Sequence, residues 1–193
     1  MNETPTNVRR RVLWLGFGVS WLLYVHRYVF ALIKTDLKVE FTKFGIPEAE
    51  HNELLSYLQV GFSAAYGLFQ VPAGIVIDFF GPHLFLTGSI VVWSLGFGLL
   101  AFAPSTSVMY ASGYTLGLGQ SGVLAGIGRM TKLWFPAETR STAQGLLGVT
   151  ASRGGAFCCY LFFPLAMVYL FADSWQAAVI ALASLGLLWA LLF

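Results

Sequence analysis

The chain has 193 residues, of which 57% are hydrophobic and only 10% are Asp, Glu, Lys or Arg. Soluble domains carry about 25% charged residues, so this composition excludes a largely water-exposed surface and indicates an integral membrane protein. The net charge of +2 and the scattered basic residues argue against nucleic acid as a partner. The two cysteines, Cys158 and Cys159, are adjacent in an apolar run, which predicts packing residues rather than a disulfide or a metal site.

Six apolar stretches predict an all-α, polytopic bundle, because a helix needs roughly 20 apolar residues to cross a bilayer. Residues 1–11 form a polar N-terminal segment, and residues 12–193 form one six-span domain. The stretches are long, apolar and separated by short loops, except for the first outer loop, 34–54, which alone has room for further structure. The predicted spans are 12–33, 55–80, 83–103, 107–133, 142–170 and 175–193.

The distribution of Lys and Arg predicts the orientation, because cytoplasmic loops are enriched in these residues. An inner N-terminus places five basic residues on the cytoplasmic side, whereas the lysines of loop 34–54 are mixed with five acidic residues. We therefore predict a multi-pass plasma-membrane protein with a cytoplasmic N-terminal segment. The five inner residues are Arg9, Arg10, Arg11, Lys132 and Arg140.

Three arginines fall within the spans, where an ionisable side chain is costly and is a candidate functional group. Arg27 lies about 15 residues into span one, or roughly 22 Å along the helix, and shares a helix face with Tyr24. Arg153 lies near the middle of span five. Arg129 lies near the inner end of span four, where an ordinary positive-inside anchor is an equally good explanation. Snorkelling to the headgroups is the alternative for Arg27 and Arg153.

Polar side chains also recur at helical spacing along span two. Gln59, Ser63, Tyr66 and Gln70 follow an i, i+4, i+7, i+11 pattern and share one face. Such a stripe is typical of a water-accessible wall, although hydrogen bonds between helices explain a single member equally well. Span four is rich in glycine, which permits close helix approach or bending.

No carboxylate lies in the middle of a span to neutralise the arginines. Burying a charged group without a partner has a large free-energy cost. An anionic substrate would satisfy them, because guanidinium groups bind carboxylate and phosphate bidentately. The sequence thus predicts a small organic or phosphorylated anion as the cargo. A missing half-protein with carboxylates, or a water-filled cavity, is the alternative source of neutralisation.

Three motifs resemble the major facilitator superfamily, and within it the anion:cation symporters and organophosphate:phosphate antiporters. Gly74-x-x-x-Asp78-x-x-Gly81 resembles the inner-loop signature, which implies a conformational role. The segment from Arg129 to Pro136 resembles the end of span four, where the arginine is a substrate-site or gating residue. Tyr24-Val-His26-Arg27 resembles the span-one substrate motif.

The resemblance implies the N-terminal six-helix half of a twelve-helix secondary transporter that works by alternating access. The second half would lie in the same or another chain. Together with the mid-span Arg153 and the polar stripe of span two, these motifs predict a substrate site that contains Arg27, Arg129, Tyr24, Arg153, Tyr66 and Gln70. His26 stands where the symporters usually have aspartate, which makes it the candidate proton-linked residue. The candidate coupling ions are H⁺, Na⁺ and phosphate.

The alternatives are a non-transporting membrane sensor of the same anions and an inactive, truncated half-transporter. An enzyme is disfavoured because the three histidines lie at unrelated depths, without a Ser/His/Asp or metal-ligand cluster. Gly119-Gln-Ser-Gly lacks the Gly-Lys-Ser/Thr ending of a phosphate-binding loop, so no cofactor is expected.

Overall fold

A computed structural model describes residues 7–193, with the side chains of residues 150 and 151 excepted. Over this range the chain is helical throughout, with no strand, as the composition predicts. Of the predicted N-terminal segment 1–11, residues 1–6 lie outside the described range. Residues 7–11 belong to the first helix. The helices are α1 (Asn7–Leu32), α2 (Lys34–Lys43), α3 (His51–Ala101), α4 (Thr106–Gln120), α5 (Val123–Trp134), α6 (Ala137–Gly145), α7 (Ala151–Leu170) and α8 (Trp175–Leu192).

Helix α3 contains both the second and the third predicted span, joined at a sharp kink. Gly81 at the kink has φ 79° and ψ 161°, which only glycine adopts readily, and Pro82 follows it. A straight helix of 51 residues would be roughly 75 Å long, more than twice the hydrocarbon thickness. The kink therefore allows the two arms of α3, residues 51–80 and 82–101, to lie in the same layer of membrane.

The fourth predicted span is not one continuous helix. It is divided into α4 and α5 at Ser121 and Gly122, where Gly122 has φ −101° and ψ 2°. A Cβ atom on Gly122 would lie 2.5 Å from both Ala73 and Phe85 of α3, so the break coincides with a close helix contact. Gly117, Gly119 and Gly126 make similar contacts with α3, which confirms close packing as one use of the glycines.

Four helical units in the described residues are long and apolar enough to cross a membrane: Asn7–Leu32, Glu48–Ala101, Ala137–Leu170 and Trp175–Leu192. The second of these is the kinked unit that contains α3. The third joins α6 and α7 through a π-helical turn, Leu146–Thr150, so the helical unit that contains the predicted fifth span begins five residues before it. The all-helical bundle is confirmed, whereas the count of six spans stays a prediction.

The bundle is organised around two helix pairs. Helix α4 packs along both arms of α3, and α7 packs against α1, while α8 covers the second arm of α3. Trp93 and Phe97 of α3 are fully buried between these elements. On α7 the contacts with α1 are made by Gly155 and by Cys159, whose Sγ lies 3.8 Å from the Val25 carbonyl oxygen. The two cysteines are free, and the buried Cys159 packs as predicted.

The predicted outer loop, 34–54, contains the short helix α2, as its length allowed. Leu37 and Phe41 bury their side chains in the bundle, and the Phe41 ring lies 5.6 Å from the ring of buried His51. Gln176 at the start of α8 donates a 3.2 Å hydrogen bond to Glu40. These contacts fix α2 across the ends of α1, α3 and α8.

Candidate functional site

Arg27 of α1 lies inside a cluster of aromatic rings. Its guanidinium carbon is 5.7 Å from the ring centre of Tyr24, 5.3 Å from that of Phe62 and 5.0 Å from that of Tyr66. Tyr24 precedes Arg27 by one helical turn on α1, and Phe62 and Tyr66 are one turn apart on the first arm of α3. Aromatic faces attract a cation electrostatically, so the three rings hold the guanidinium between α1 and α3 without neutralising it.

Gln120, at the end of α4, fixes the guanidinium from a third helix. Arg27 Nε and Nη2 donate to Gln120 Oε1 at 3.3 and 3.1 Å. The amide Nε2 of Gln120 in turn lies 3.4 Å from the carbonyl oxygen of Leu23, and the Gln120 side chain is fully buried. Because a buried amide bonded at both ends has little freedom, it aligns the arginine fork.

A small cavity of about 20 Å³ lies beside Arg27, lined also by Gln59 and Phe62. A cavity of this volume is large enough for one water molecule. The polar stripe of α3 continues from this point: Ser63 and Gln70 are exposed, and Tyr66 is half-buried against Arg27. The structure therefore brings Arg27, Tyr24 and Tyr66 together, and leaves Gln70 one turn further along on the open face.

The described contacts of Arg27 are all with neutral groups: an amide oxygen and three rings. A guanidinium bonded only to neutral acceptors keeps its full positive charge. Arginine has five N–H groups, and Nε and Nη2 each donate to Gln120. The remaining N–H groups of the guanidinium are available to another acceptor. The arrangement can therefore accept an anionic group from the open side.

Arg129 lies at a separate point, beside the kink of α3. Its Nη2 is 3.8 Å from Oδ1 of Asp78, and the two side chains are 51% and 71% exposed. Arg129 follows Gln120 by nine residues, which is roughly 14 Å along the helical path. The structure thus joins Arg129 to the Gly74, Asp78 and Gly81 motif rather than to the Arg27 cluster.

Arg153 is exposed on α7, two residues before Gly155, which packs on α1 at Trp21 and Tyr24. The small residues Gly148, Ser152 and Ala156 beside it are spaced as a seam for close helix packing. No atom of the described chain lies within 4 Å of a Cβ built on Gly148, the first of these residues. The close approach to α1 is made instead by Gly155, seven residues further along.

His26 points away from its neighbour Arg27, because successive residues are rotated by roughly 100° on a helix. It is fully buried, its Nε2 donates to the Leu182 carbonyl of α8 at 3.1 Å, and its ring lies edge-on to Phe97 at 4.7 Å. Its Nδ1 has no partner in the described part of the chain. The hydroxyls of Ser20 and Ser94 are buried and unpartnered in the same way.

Two residues of the cluster were missed in the sequence. Gln120 is the only amide side chain between residues 107 and 133, which was a usable signal. Phe62 carried no signal, because an aromatic residue in a span is normally a packing residue. No cluster of three or more metal-binding side chains occurs among the described residues.

Comparison with known proteins assigns the family. The family model of the Major Facilitator Superfamily matches residues 12–193, nearly the whole chain. The chain belongs to the Major Facilitator Superfamily. The resemblance found in the motifs is thereby confirmed, and the family is one of transporters rather than of enzymes.

Superfamily relatives with similar sequences are named as transporters of organic anions. A galacturonate transporter of Dickeya chrysanthemi is 31% identical over 136 residues, covering 70% of this chain and 38% of the relative. A hexuronate transporter of Bacillus subtilis is 29% identical over 152 residues, covering 76% and 35%. The "Probable sulfoacetate transporter SauU" of Cupriavidus necator is 30% identical over 132 residues, covering 68% and 30%. The chain therefore spans about a third of the length of these relatives.

Proposed function

We propose that this protein is a secondary transporter of small organic anions, with carboxylated sugars as the leading substrate class. The observation that carries the proposal is Arg27, a guanidinium deep in the bundle that is held by neutral groups and retains donors for an anion. The relatives named for galacturonate and hexuronate carry substrates with one carboxylate and several hydroxyls. A guanidinium fork suits the carboxylate of such a molecule.

The tyrosines and amides near Arg27 suit the remainder of a sugar acid. Tyr24 and Tyr66 provide both a ring face and a hydroxyl, and Gln70 lies one turn beyond Tyr66 on the exposed stripe. Sugars are bound through hydroxyl-directed hydrogen bonds and through stacking of their C–H faces on aromatic rings. In this proposal Arg27 binds the carboxylate and the tyrosines and Gln70 contact the hydroxyls.

A second six-helix half, in the same or another chain, would cover the face that bears Arg27 and the polar stripe. Transport would follow from rocking of the two halves around a site at the membrane midplane, with all six predicted helices crossing the bilayer. The exposed polar side chains Ser63 and Gln70 support a water-accessible face. In this proposal the protein lies in the plasma membrane with its N-terminus in the cytoplasm.

The pair of Arg129 and Asp78 is proposed as a conformational contact. An exposed ion pair contributes little stability, so it can open and close during the cycle. In the open state Arg129 would be free to attract the departing or arriving anion, as the sequence motif implies. Gly74 and Gly81 would accommodate the movement. Arg153 would raise the positive electrostatic potential of the face that bears Arg27.

Coupling to a proton is proposed through His26, with Na⁺ or phosphate exchange as alternatives. His26 joins α1 to α8 through the Leu182 carbonyl and has an unpartnered ring nitrogen. A proton on that nitrogen would place a second charge one residue from Arg27. This change could alter how α1 packs, and it would be reversed when the proton leaves.

Binding of galacturonate to the purified full-length protein, measured by isothermal titration calorimetry, tests the site. Arg27→Gln should weaken binding by about 10- to 100-fold, because a charge-assisted hydrogen bond contributes about 1.5–3 kcal/mol. Lys34→Gln, which removes the same charge from the exposed start of α2, is the control and should bind normally. Unchanged binding in the Arg27 variant would exclude this site. Binding without flux would favour a sensor or an inactive half-transporter.

A further inference from the structure

An apolar groove runs along α1, bordered by α8 over its whole length and by α7 over its second part. Its first part has a volume of about 370 Å³ and is lined by Trp14, Phe17, Trp21 and Trp189. Its second part has a volume of about 440 Å³ and continues past Val25 and Phe163. The two parts share Trp21 and Leu185, so they form one groove. From Trp14 to Val25 the groove follows α1 for roughly 16 Å.

Contacts at the first part of the groove give it a defined shape. The Trp189 indole donates a 3.3 Å hydrogen bond to the Leu15 carbonyl, and its ring packs directly on Gly18, where a Cβ would collide with it. Trp14 is 66% exposed and meets Phe17 edge-on, with ring centres 6.0 Å apart. Tryptophan is enriched where membrane meets water, so Trp14 marks the headgroup level.

Two arginines stand immediately beyond this end. At 3.6 residues per turn, Arg10 and Arg11 lie roughly 40° and 60° to either side of the Trp14 direction, whereas Arg9 lies roughly 140° away. Arg10 and Arg11 are exposed. Within residues 7–193 the side chains of both lack a hydrogen bond or ion pair. Two exposed, positively charged side chains therefore lie beside one end of the apolar groove, at the headgroup level.

We propose that this groove binds one anionic phospholipid, with the phosphate-bearing headgroup on Arg10 and Arg11 and an acyl chain along α1. Charge complementarity selects the occupant, because an apolar helix of a partner would leave the two arginines unsatisfied. Basic pockets between membrane helices on the cytoplasmic side are a known means of holding anionic headgroups. The lipid would wedge α7 and α8 apart and fix their spacing above α1. This proposal is independent of the transported substrate.

Native mass spectrometry of the purified full-length protein, titrated with palmitoyl-oleoyl phosphatidylglycerol or phosphatidylcholine, tests the groove. We expect one tight phosphatidylglycerol site. Arg10→Gln with Arg11→Gln should raise its dissociation constant about 25-fold, since each basic residue near the surface contributes about 5-fold. Arg9→Gln, with the same charge change as either single replacement, is the control and should shift it less than the single Arg10→Gln variant.

The acyl part is tested separately by filling the groove. Ala181 is exposed within it, so Ala181→Phe should weaken phosphatidylglycerol binding, whereas Ala111→Phe on the exposed side of α4 should not. Equal binding of the two lipids, or no loss in the Arg10 and Arg11 variant, would overturn the proposal. Absence of a tight lipid in the unmodified protein would also overturn it. If Ala181→Phe does not fold, the Arg10 and Arg11 variants still test whether the groove binds an anionic phospholipid.

Discussion

Arg27 and Gln120 form a forked contact in which two guanidinium nitrogens share one amide oxygen, at 3.3 and 3.1 Å. The contact joins α1 to the end of α4 in the interior of the bundle. Its chemical character decides what Arg27 can do, because an amide orients a guanidinium without removing its charge. A carboxylate at the same place would satisfy the charge and leave nothing to attract an anion.

Gln120→Glu is therefore the most informative single change in the cluster. We expect the variant to fold, because the new ion pair with Arg27 offsets the loss of the hydrogen bond that Gln120 Nε2 donates to the Leu23 carbonyl. We also expect galacturonate uptake to fall at least 10-fold, because the substrate must now compete with a resident anion. Thermal unfolding and uptake in proteoliposomes measure the two effects.

Gln120→Leu is the matched control for this change. It removes the acceptor and leaves a buried donor unsatisfied, at a cost of about 1–3 kcal/mol. Lower stability in the leucine variant with retained stability in the glutamate variant would establish that Gln120 positions Arg27. Normal uptake by the glutamate variant would refute the assignment of Arg27 to anion binding.

Arg129→Gln and Asp78→Asn should separate stability from transport. The two side chains are largely exposed and 3.8 Å apart, so their ion pair contributes at most about 1 kcal/mol to folding. We expect melting temperatures to change by less than about 4 °C, while the uptake rate falls in both variants. The exchanged pair, Arg129→Asp with Asp78→Arg, should recover part of the rate. If both single variants transport normally, the contact has no conformational role.

The sequence could predict the membrane class, the helical fold and three members of the Arg27 cluster. Tyr24 follows from its position on the face of Arg27, and Tyr66 from the polar stripe. It could not predict that Arg27 faces Gln120, because the register between α1 and α4 depends on side-chain packing across 93 residues of chain. For the same reason it could not predict that Arg129 lies beside Asp78, and a role of Arg129 in substrate binding stays a prediction.

Gly117→Ala should destabilise the contact between α3 and α4. A Cβ on Gly117 would collide with the Phe62 carbonyl oxygen, a backbone atom that cannot move aside, and would press on Ala65. We expect a loss of about 1–3 kcal/mol, which is typical of overpacking. Gly128→Ala is the matched control, because no atom lies within 4 Å of the place that its Cβ would occupy. Equal melting temperatures for the two variants would mean that α4 is not held this closely.

Asp36 in α2 gives a pH-dependent prediction outside the membrane-spanning helices. Burial raises the pKa of its carboxyl, and the nearby charges of Asp173 and Glu40 raise it further. A carboxyl whose pKa is higher in the folded state destabilises that state once it is ionised. The penalty is absent below the unfolded pKa, grows as the pH rises through the folded pKa, and is complete at neutral pH.

Asp36→Asn should therefore raise the melting temperature at pH 7, by about 1 °C because the group is partly solvated. The gain should shrink as the pH falls below the ordinary range of an aspartate. Differential scanning fluorimetry of both proteins across that range measures the effect. A melting temperature that falls on substitution at pH 7 would show that ionised Asp36 makes a favourable contact instead.

Uptake of radiolabelled galacturonate into proteoliposomes containing the full-length protein tests the central claim most directly. The account predicts saturable uptake that excess unlabelled hexuronate suppresses. It also predicts that Arg27→Gln lowers this uptake at least 10-fold while Lys34→Gln leaves it intact. Saturable uptake that survives Arg27→Gln at the unmodified rate would contradict the claim that Arg27 binds the transported anion.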